Sequence, residues 1–154
     1  MSITHEKHKN YKYWYKKKSM EWTTPGKLFK ELDNEFNFTL DPCSTHSNAL
    51  CFKHYTIEED GLNQDWSNEI VFMNPPYGRE ISKWIKKAYL ESLNNATVVC
   101  LLPCRTDTRY WHEYILMYAK EIRYIKGRLK YGNSKINAPF SSAIVVFSSE
   151  TRKT

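Results

Sequence analysis

Ile70-Val71-Phe72-Met73-Asn74-Pro75-Pro76-Tyr77 is the stretch on which the reading of this chain turns. Its first four residues form a continuous apolar run, the pattern of a strand buried on both faces in a parallel sheet. Two prolines cannot continue a ladder, so the run ends in a turn at Asn74. Downstream, Ile81–Leu93 has helical periodicity, with Ile81, Trp84, Ile85, Ala88 and Tyr89 on one face. Asn74 and Tyr77 therefore fall between a buried strand and a helix. In α/β sheets that edge is where ligands sit.

Working outward, the same alternation recurs. On the N-terminal side, Thr24 is expected to cap a helix that has Pro25 at its first position and Leu28, Phe29, Leu32 and Phe36 as its apolar stripe. Asn37–Asp41 reads as a short strand stopped by Pro42, and Phe52–Thr56 as another. On the C-terminal side, Thr97–Leu102, Glu121–Ile125 and Ala143–Phe147 read as strands and Thr108–Tyr118 as a helix. Strands alternating with helices predict a parallel-rich α/β sheet. Asp41, Asn74 and Pro103 then fall at the carboxyl ends of strands.

The 154 residues suit one domain, and neither a repeat nor a Gly/Ser linker divides them. An apolar fraction of 41% with 15% aromatics belongs to a folded protein rather than a disordered one. The chain lacks both a long apolar run and an apolar leader, and its four cysteines are too few for a disulfide framework. A cytoplasmic protein without a membrane span is expected. The formal charge of +6 permits a polyanionic partner. Residues 1–19 read as a basic aromatic arm ahead of a domain over residues 20–150. In it, Lys16, Lys17 and Lys18 follow tyrosines and a tryptophan, a mixture that neutralises phosphates and stacks on unpaired bases. An arm whose aromatics pack on the domain is the plainer alternative.

The chemistry of Asn74-Pro75-Pro76-Tyr77 follows from its residue types. An exocyclic amine of adenine is a poor nucleophile, because its lone pair is delocalised into the ring. Two carbonyl oxygens, each accepting one N–H, draw that lone pair towards an incoming methyl group. Asn74 can supply one through its amide and Pro75 the other through its backbone, with Pro76 restricting the turn. Tyr77 would stack on the base once it leaves the duplex. A glutamine side-chain amide has the same delocalised nitrogen, and adenine in RNA is chemically equivalent, so those acceptors stay open. A non-catalytic nucleic-acid-binding relative is the reading from a different class. A surface turn with Tyr77 packed on the domain is the purely structural one.

Beyond this segment, the chain resembles the phage-type DNA N-6-adenine methyltransferases, compact enzymes of phages and prophages. The resemblance runs from about Glu21 to Phe147. It rests on Trp22-Thr23-Thr24-Pro25 with Leu28-Phe29, and on Leu40-Asp41-Pro42-Cys43 with Asn48-Ala49. Asp60-Gly61-Leu62 with Asp65-Trp66, Asn74-Pro75-Pro76-Tyr77-Gly78, and Leu101-Leu102-Pro103 with Arg105-Thr106-Asp107-Thr108 continue it. Gly127-Arg128-Leu129-Lys130-Tyr131 and Pro139-Phe140-Ser141-Ser142-Ala143 complete the order. The resemblance implies a compact Rossmann-like fold that uses S-adenosylmethionine, acts on DNA as monomer or homodimer, and works in the cytoplasm of a bacterial host. It further implies that Trp22, Thr23, Thr24 and Pro25 hold the methionine end of the cofactor at a helix N-terminus. Asp41, beside Pro42, would face the cofactor's amine or ribose, and Asp60 or Asp65 would accept from its adenine. Tyr131 or Phe140 would close the other face of the flipped base, with Arg128 and the arm lysines on the DNA. Each of the three acids is alternatively a turn or cap aspartate.

Two departures from the pattern of methyltransferases stand out. Asp41-Pro42-Cys43-Ser44-Thr45 contains no glycine, so the cofactor must be held by a less open turn. No separate target-recognition domain fits between Tyr77 and Phe147, which leaves short loops, the arm or a second subunit to read sequence, with limited specificity. Cys43, His46, Cys51 and His54 carry zinc-ligand chemistry, but only four residues separate His46 from Cys51, unlike ordinary finger spacing. No metal is expected.

Overall fold

The computed structural model describes residues 22–132 and 134–150. Ile70–Met73 is strand β1, with Val71, Phe72 and Met73 at most 1% exposed. It pairs in parallel with β2, Thr97–Pro103, in the register Ile70 to Thr97 and Met73 to Cys100. β2 pairs antiparallel with the last strand, β4 (Ser142–Phe147), which pairs antiparallel with β3 (Glu121–Tyr124). The sheet order is therefore β1-β2-β4-β3. β1, β2 and β3 point the same way and β4 is reversed between β2 and β3, so one strand pair is parallel and two are antiparallel: the sheet is mixed, not parallel-rich as expected.

This reversal matters for the site. The carboxyl ends of β1, β2 and β3 and the amino end of β4 share one edge. The β3–β4 connection, residues 125–141, leaves from that edge and returns to it.

Side chains alternate across the sheet, so register assigns the layers. Phe72 lies on one face against helix α1, Gly26–Phe36, through Phe29 at 5.2 Å between ring centroids. On that face Arg123 of β3 makes two bonds to the Glu35 carboxylate of α1, at 2.6 and 2.5 Å. Phe147 lies on the other face and meets Tyr89 of helix α2, Ile81–Ser92. Ile81, Trp84, Ile85 and Ala88 of α2 are buried as its periodicity predicts. A π-helical turn, Trp111–Ile115, runs into a short helix, α3 (Leu116–Tyr118), and Tyr118 stacks on Tyr89 at 4.2 Å. Helices thus cover both faces, and none among the described residues is long and apolar enough to cross a membrane.

Several expectations need correction. Asn37–Asp41 is not a strand but a turn out of α1, with Asn37 in the left-handed region and the Phe38 N–H held by the Asp33 side chain. Only single parallel bridges remain, Leu40 to Val71 and Asp41 to His54. The Phe52–Thr56 strand reduces to that one bridge, and Phe52 is fully exposed. Thr24 does not cap α1, because its hydroxyl is occupied by Asn74, and Pro25 takes the capping position, one residue before the helix begins. The basic arm, with Lys16, Lys17 and Lys18, lies outside the described residues.

Candidate active site

Met73 delivers Asn74 to the sheet edge, where its side chain is 4% exposed. Its Nδ2 donates to the Trp22 carbonyl at 2.9 Å and to Thr24 Oγ1 at 3.0 Å. Its Oδ1 is buried without a hydrogen-bond partner. Leaving a buried acceptor unsatisfied costs roughly 1–3 kcal/mol, so the group calls for an explanation, such as a ligand that completes it. The Asn74 backbone carbonyl accepts from the Cys43 thiol at 3.3 Å, which ties this corner to the loop after Leu40. Pro75 and Pro76 are buried beside it.

Tyr77 is tied down rather than open. Its hydroxyl donates to the Leu101 carbonyl at 3.0 Å and lies 3.3 Å from the Tyr131 hydroxyl, which in turn lies 2.9 Å from Ser142 Oγ. Burial pushes the Tyr77 phenol well above its ordinary pKa and also raises that of Tyr131, so both keep their protons. Phe140 packs edge-on against Tyr77 at 5.7 Å, with ring planes at 76°. Trp22 packs on Tyr131 at 5.5 Å and on Phe140 at 5.0 Å. Tyr131 is 2% exposed, whereas Phe140 is half-buried. Of the two aromatics considered for closing over a base, Tyr131 is built into the scaffold and Phe140 stands at its margin.

Beside Asn74 lies a cavity of about 240 Å³, walled by Thr23, Thr24, Asp41, Cys43, Ser44, Asn48, Leu50, Phe72 and Asn74. Asp41, 5% exposed, organises the loop that forms one side of it. Its Oδ1 accepts from the Cys43 N–H at 3.4 Å and its Oδ2 from the Leu50 N–H at 3.1 Å. Asn48 Oδ1 accepts from the Thr45 N–H at 2.7 Å. Side-chain acceptors thus shape a turn that glycines shape in other proteins. The expected Thr23, Thr24 and Asp41 are in this wall; Ser44, Leu50 and Phe72 were not anticipated. Asn48 had a signal, its place among the matched segments, but no assigned role.

Asp60 and Asp65 are not in the wall. Asp60, with φ of 56°, accepts from the Leu62 N–H at 3.2 Å and from Asn63 Nδ2 at 2.7 Å. Asp65, exposed, accepts from the Ser67 N–H at 2.8 Å, and hydrogen bonding by the Ser67 side chain and backbone lowers its pKa. Both act as turn residues around the Gly61–Asn63 helical turn and Trp66. A Cβ at Gly61 would stand 2.0 Å from the Pro42 carbonyl oxygen, so glycine there lets this turn press against the Asp41 loop. Trp66 is fully buried, donates to the Gly61 carbonyl at 2.9 Å and stacks on Trp84. This matched segment is explained by packing.

The cysteine and histidine residues diverge. The Cys43 thiol turns in to Asn74, while His46 Nδ1 and His54 Nε2 lie 2.9 Å apart. In the β3–β4 connection, Lys126, Arg128, Lys130 and Lys135 are exposed, and the sequence has no acid between Glu121 and Glu150. Gly132, at φ of 59°, donates its N–H to the Thr23 carbonyl at 2.8 Å, which ties this basic loop to the cavity wall.

With this geometry in view, a family model and three curated relatives bear on the chain. A family model described as DNA N-6-adenine-methyltransferase (Dam) matches residues 13–153. A DNA N-6-adenine-methyltransferase of Haemophilus phage HP1 is 32% identical over 117 residues, which cover 74% of this chain and 67% of that protein. One of Escherichia phage T1 is 29% identical over 134 residues, covering 86% of this chain and 56% of its own length. The putative methyltransferase YfdM of Escherichia coli K12 is 36% identical over 64 residues, 37% of this chain. The chain thus spans about two thirds of the HP1 protein and little more than half of the T1 protein.

Proposed function

This chain belongs to the DNA N-6-adenine-methyltransferase family, and from that premise we propose that it moves a methyl group from S-adenosylmethionine to the N6 amine of adenine in DNA. One observation carries the reading. Asn74 Oδ1 is a buried acceptor without a partner, on an amide whose nitrogen is already fully engaged. An exocyclic N–H is the kind of group that completes it.

In this reading Asn74 Oδ1 and the Pro75 carbonyl accept the two N6 hydrogens, the nitrogen lone pair is freed from the ring as its bonds bend, and the nitrogen, once methylated, gives up one of those protons to water. The buried prolines hold both acceptors still. Bound in the neighbouring cavity, S-adenosylmethionine supplies an electrophilic methyl group. The wall suits it chemically: Asp41 is an anion for its ammonium, the Thr23 hydroxyl suits its carboxylate, and Leu50 and Phe72 are apolar. Strands of one direction ending at this edge, with helices on both faces, support a compact Rossmann-like methyltransferase fold.

The reaction requires the base to leave the duplex. Tyr77, fixed through its hydroxyl, is the stacking platform. Because Phe140 stands at 76° to it, a base cannot lie flat on both rings until Phe140 turns. DNA binding therefore carries a movement of Phe140, while Tyr131 braces Tyr77 from behind. Lys126, Arg128, Lys130 and Lys135 face the phosphates.

The test is transfer of labelled methyl groups to DNA, RNA and protein extract in parallel. Label on N6-methyladenine from DNA is the expected result. Label confined to RNA or to glutamine would overturn the acceptor assignment.

A further inference from the structure

We infer that the strap Trp22–Thr24 is a positioning element that sets which end of the Asn74 amide meets the substrate; this rests on the adenine reading above. The two ends of an asparagine amide are nearly equal in shape, and a half-turn of the side chain exchanges oxygen for nitrogen. Only neighbours choose between them. Thr24 Oγ1, 3.0 Å from Nδ2, would tolerate either end, because a hydroxyl both donates and accepts. The Trp22 carbonyl, 2.9 Å away, only accepts. A half-turn would set two carbonyl oxygens against each other there, so Trp22 selects the orientation and Thr24 takes the second N–H. With both hydrogens of Nδ2 engaged, Oδ1 is left as the unpartnered buried atom.

The strap is itself anchored from the side where the base would enter. The Trp22 ring packs on Tyr131 and Phe140, and the Thr23 carbonyl accepts from Gly132. Thr24, grouped with the cofactor on sequence grounds, therefore acts through Asn74. It touches neither reacting atom in this assignment and is a positioning residue.

Two measurements test this. In the ¹⁵N-labelled wild-type protein, the Asn74 side-chain NH₂ signal, identified by its loss in Asn74→Ala, is expected to exchange with solvent at least about tenfold more slowly than that of exposed Asn34. Equal rates would overturn the inference. This readout needs no substrate, so it stands even if no methyl reaches DNA and the functional reading itself fails. In transfer assays, Thr24→Val should lower kcat about tenfold, the worth of one buried hydrogen bond, with cofactor affinity by calorimetry within about twofold. Thr24→Ser should recover most of kcat. A Thr24→Val protein with full kcat at saturation but cofactor binding weakened about tenfold would make Thr24 a cofactor ligand and overturn the assignment.

Discussion

Two corners of the same sheet edge, the turn after Met73 and the loop after Leu40, are built by different means. The first is a regular strand, two prolines and a regular helix, so its geometry follows from elements that extend well away from it. The second has only single bridges for a strand, and its shape depends on Asp41 accepting from Cys43 and Leu50 and on Asn48 holding Thr45. The Cys43 thiol, bonded to the Asn74 carbonyl, joins them. In the proposed reading the chemistry falls on the stiff corner, and the cofactor on one held by a few polar atoms. Substitutions should therefore separate catalysis from folding at the first corner and fail to separate them at the second.

Asn74→Ala is the sharpest break. It should lower kcat by about 10²–10³ or more while the protein stays folded at assay temperature, the freed strap acceptors costing about 1–3 kcal/mol, as labelled-methyl transfer and melting curves would measure. Asp41→Ala should do the reverse, costing about 2–4 kcal/mol in urea unfolding, because two N–H groups lose a buried charged acceptor, and weakening cofactor binding together with stability. An Asp41→Ala protein of wild-type stability would collapse the contrast. Gly61→Ala sharpens it from outside: its Cβ meets the Pro42 carbonyl at 2.0 Å, so about 1–3 kcal/mol should be lost and cofactor affinity should fall before kcat does. Asp65→Ala is the small-effect control. With its hydrogen bonding to Ser67 on an exposed turn, the melting temperature should stay near that of the wild type and cofactor affinity within about twofold.

The same contrast explains how much was legible in the sequence. β1, β2, β4 and α2 are marked by apolar runs and periodicity that burial requires, and the structure has them within a residue or two. Asn74 was legible for the same reason, since a buried strand before it and a helix after it define its place. The Asp41 loop was not, because a carboxylate bonding two backbone N–H groups leaves no periodic trace. Phe38 and Phe52 lie in apolar stretches that look like strands, yet the turn after α1 consumes one and the other is exposed. Thr24 read as a helix cap because threonine before proline and glycine usually is one; its tertiary partner is 50 residues away. Asp60 and Asp65 illustrate the converse: both hydrogen-bond within their own turns, the alternative the sequence left beside a cofactor role.

The reversed β4 has a consequence for engineering. Because it returns the chain to the edge it left, the basic connection over residues 125–141 can change length without altering the order of the strands beneath it. Lengthening such a closed loop costs little, about 0.6 kcal/mol for each doubling of its residues. This connection is the natural place to graft a recognition segment onto so small a scaffold, with Gly132 kept as the knot that ties it to Thr23.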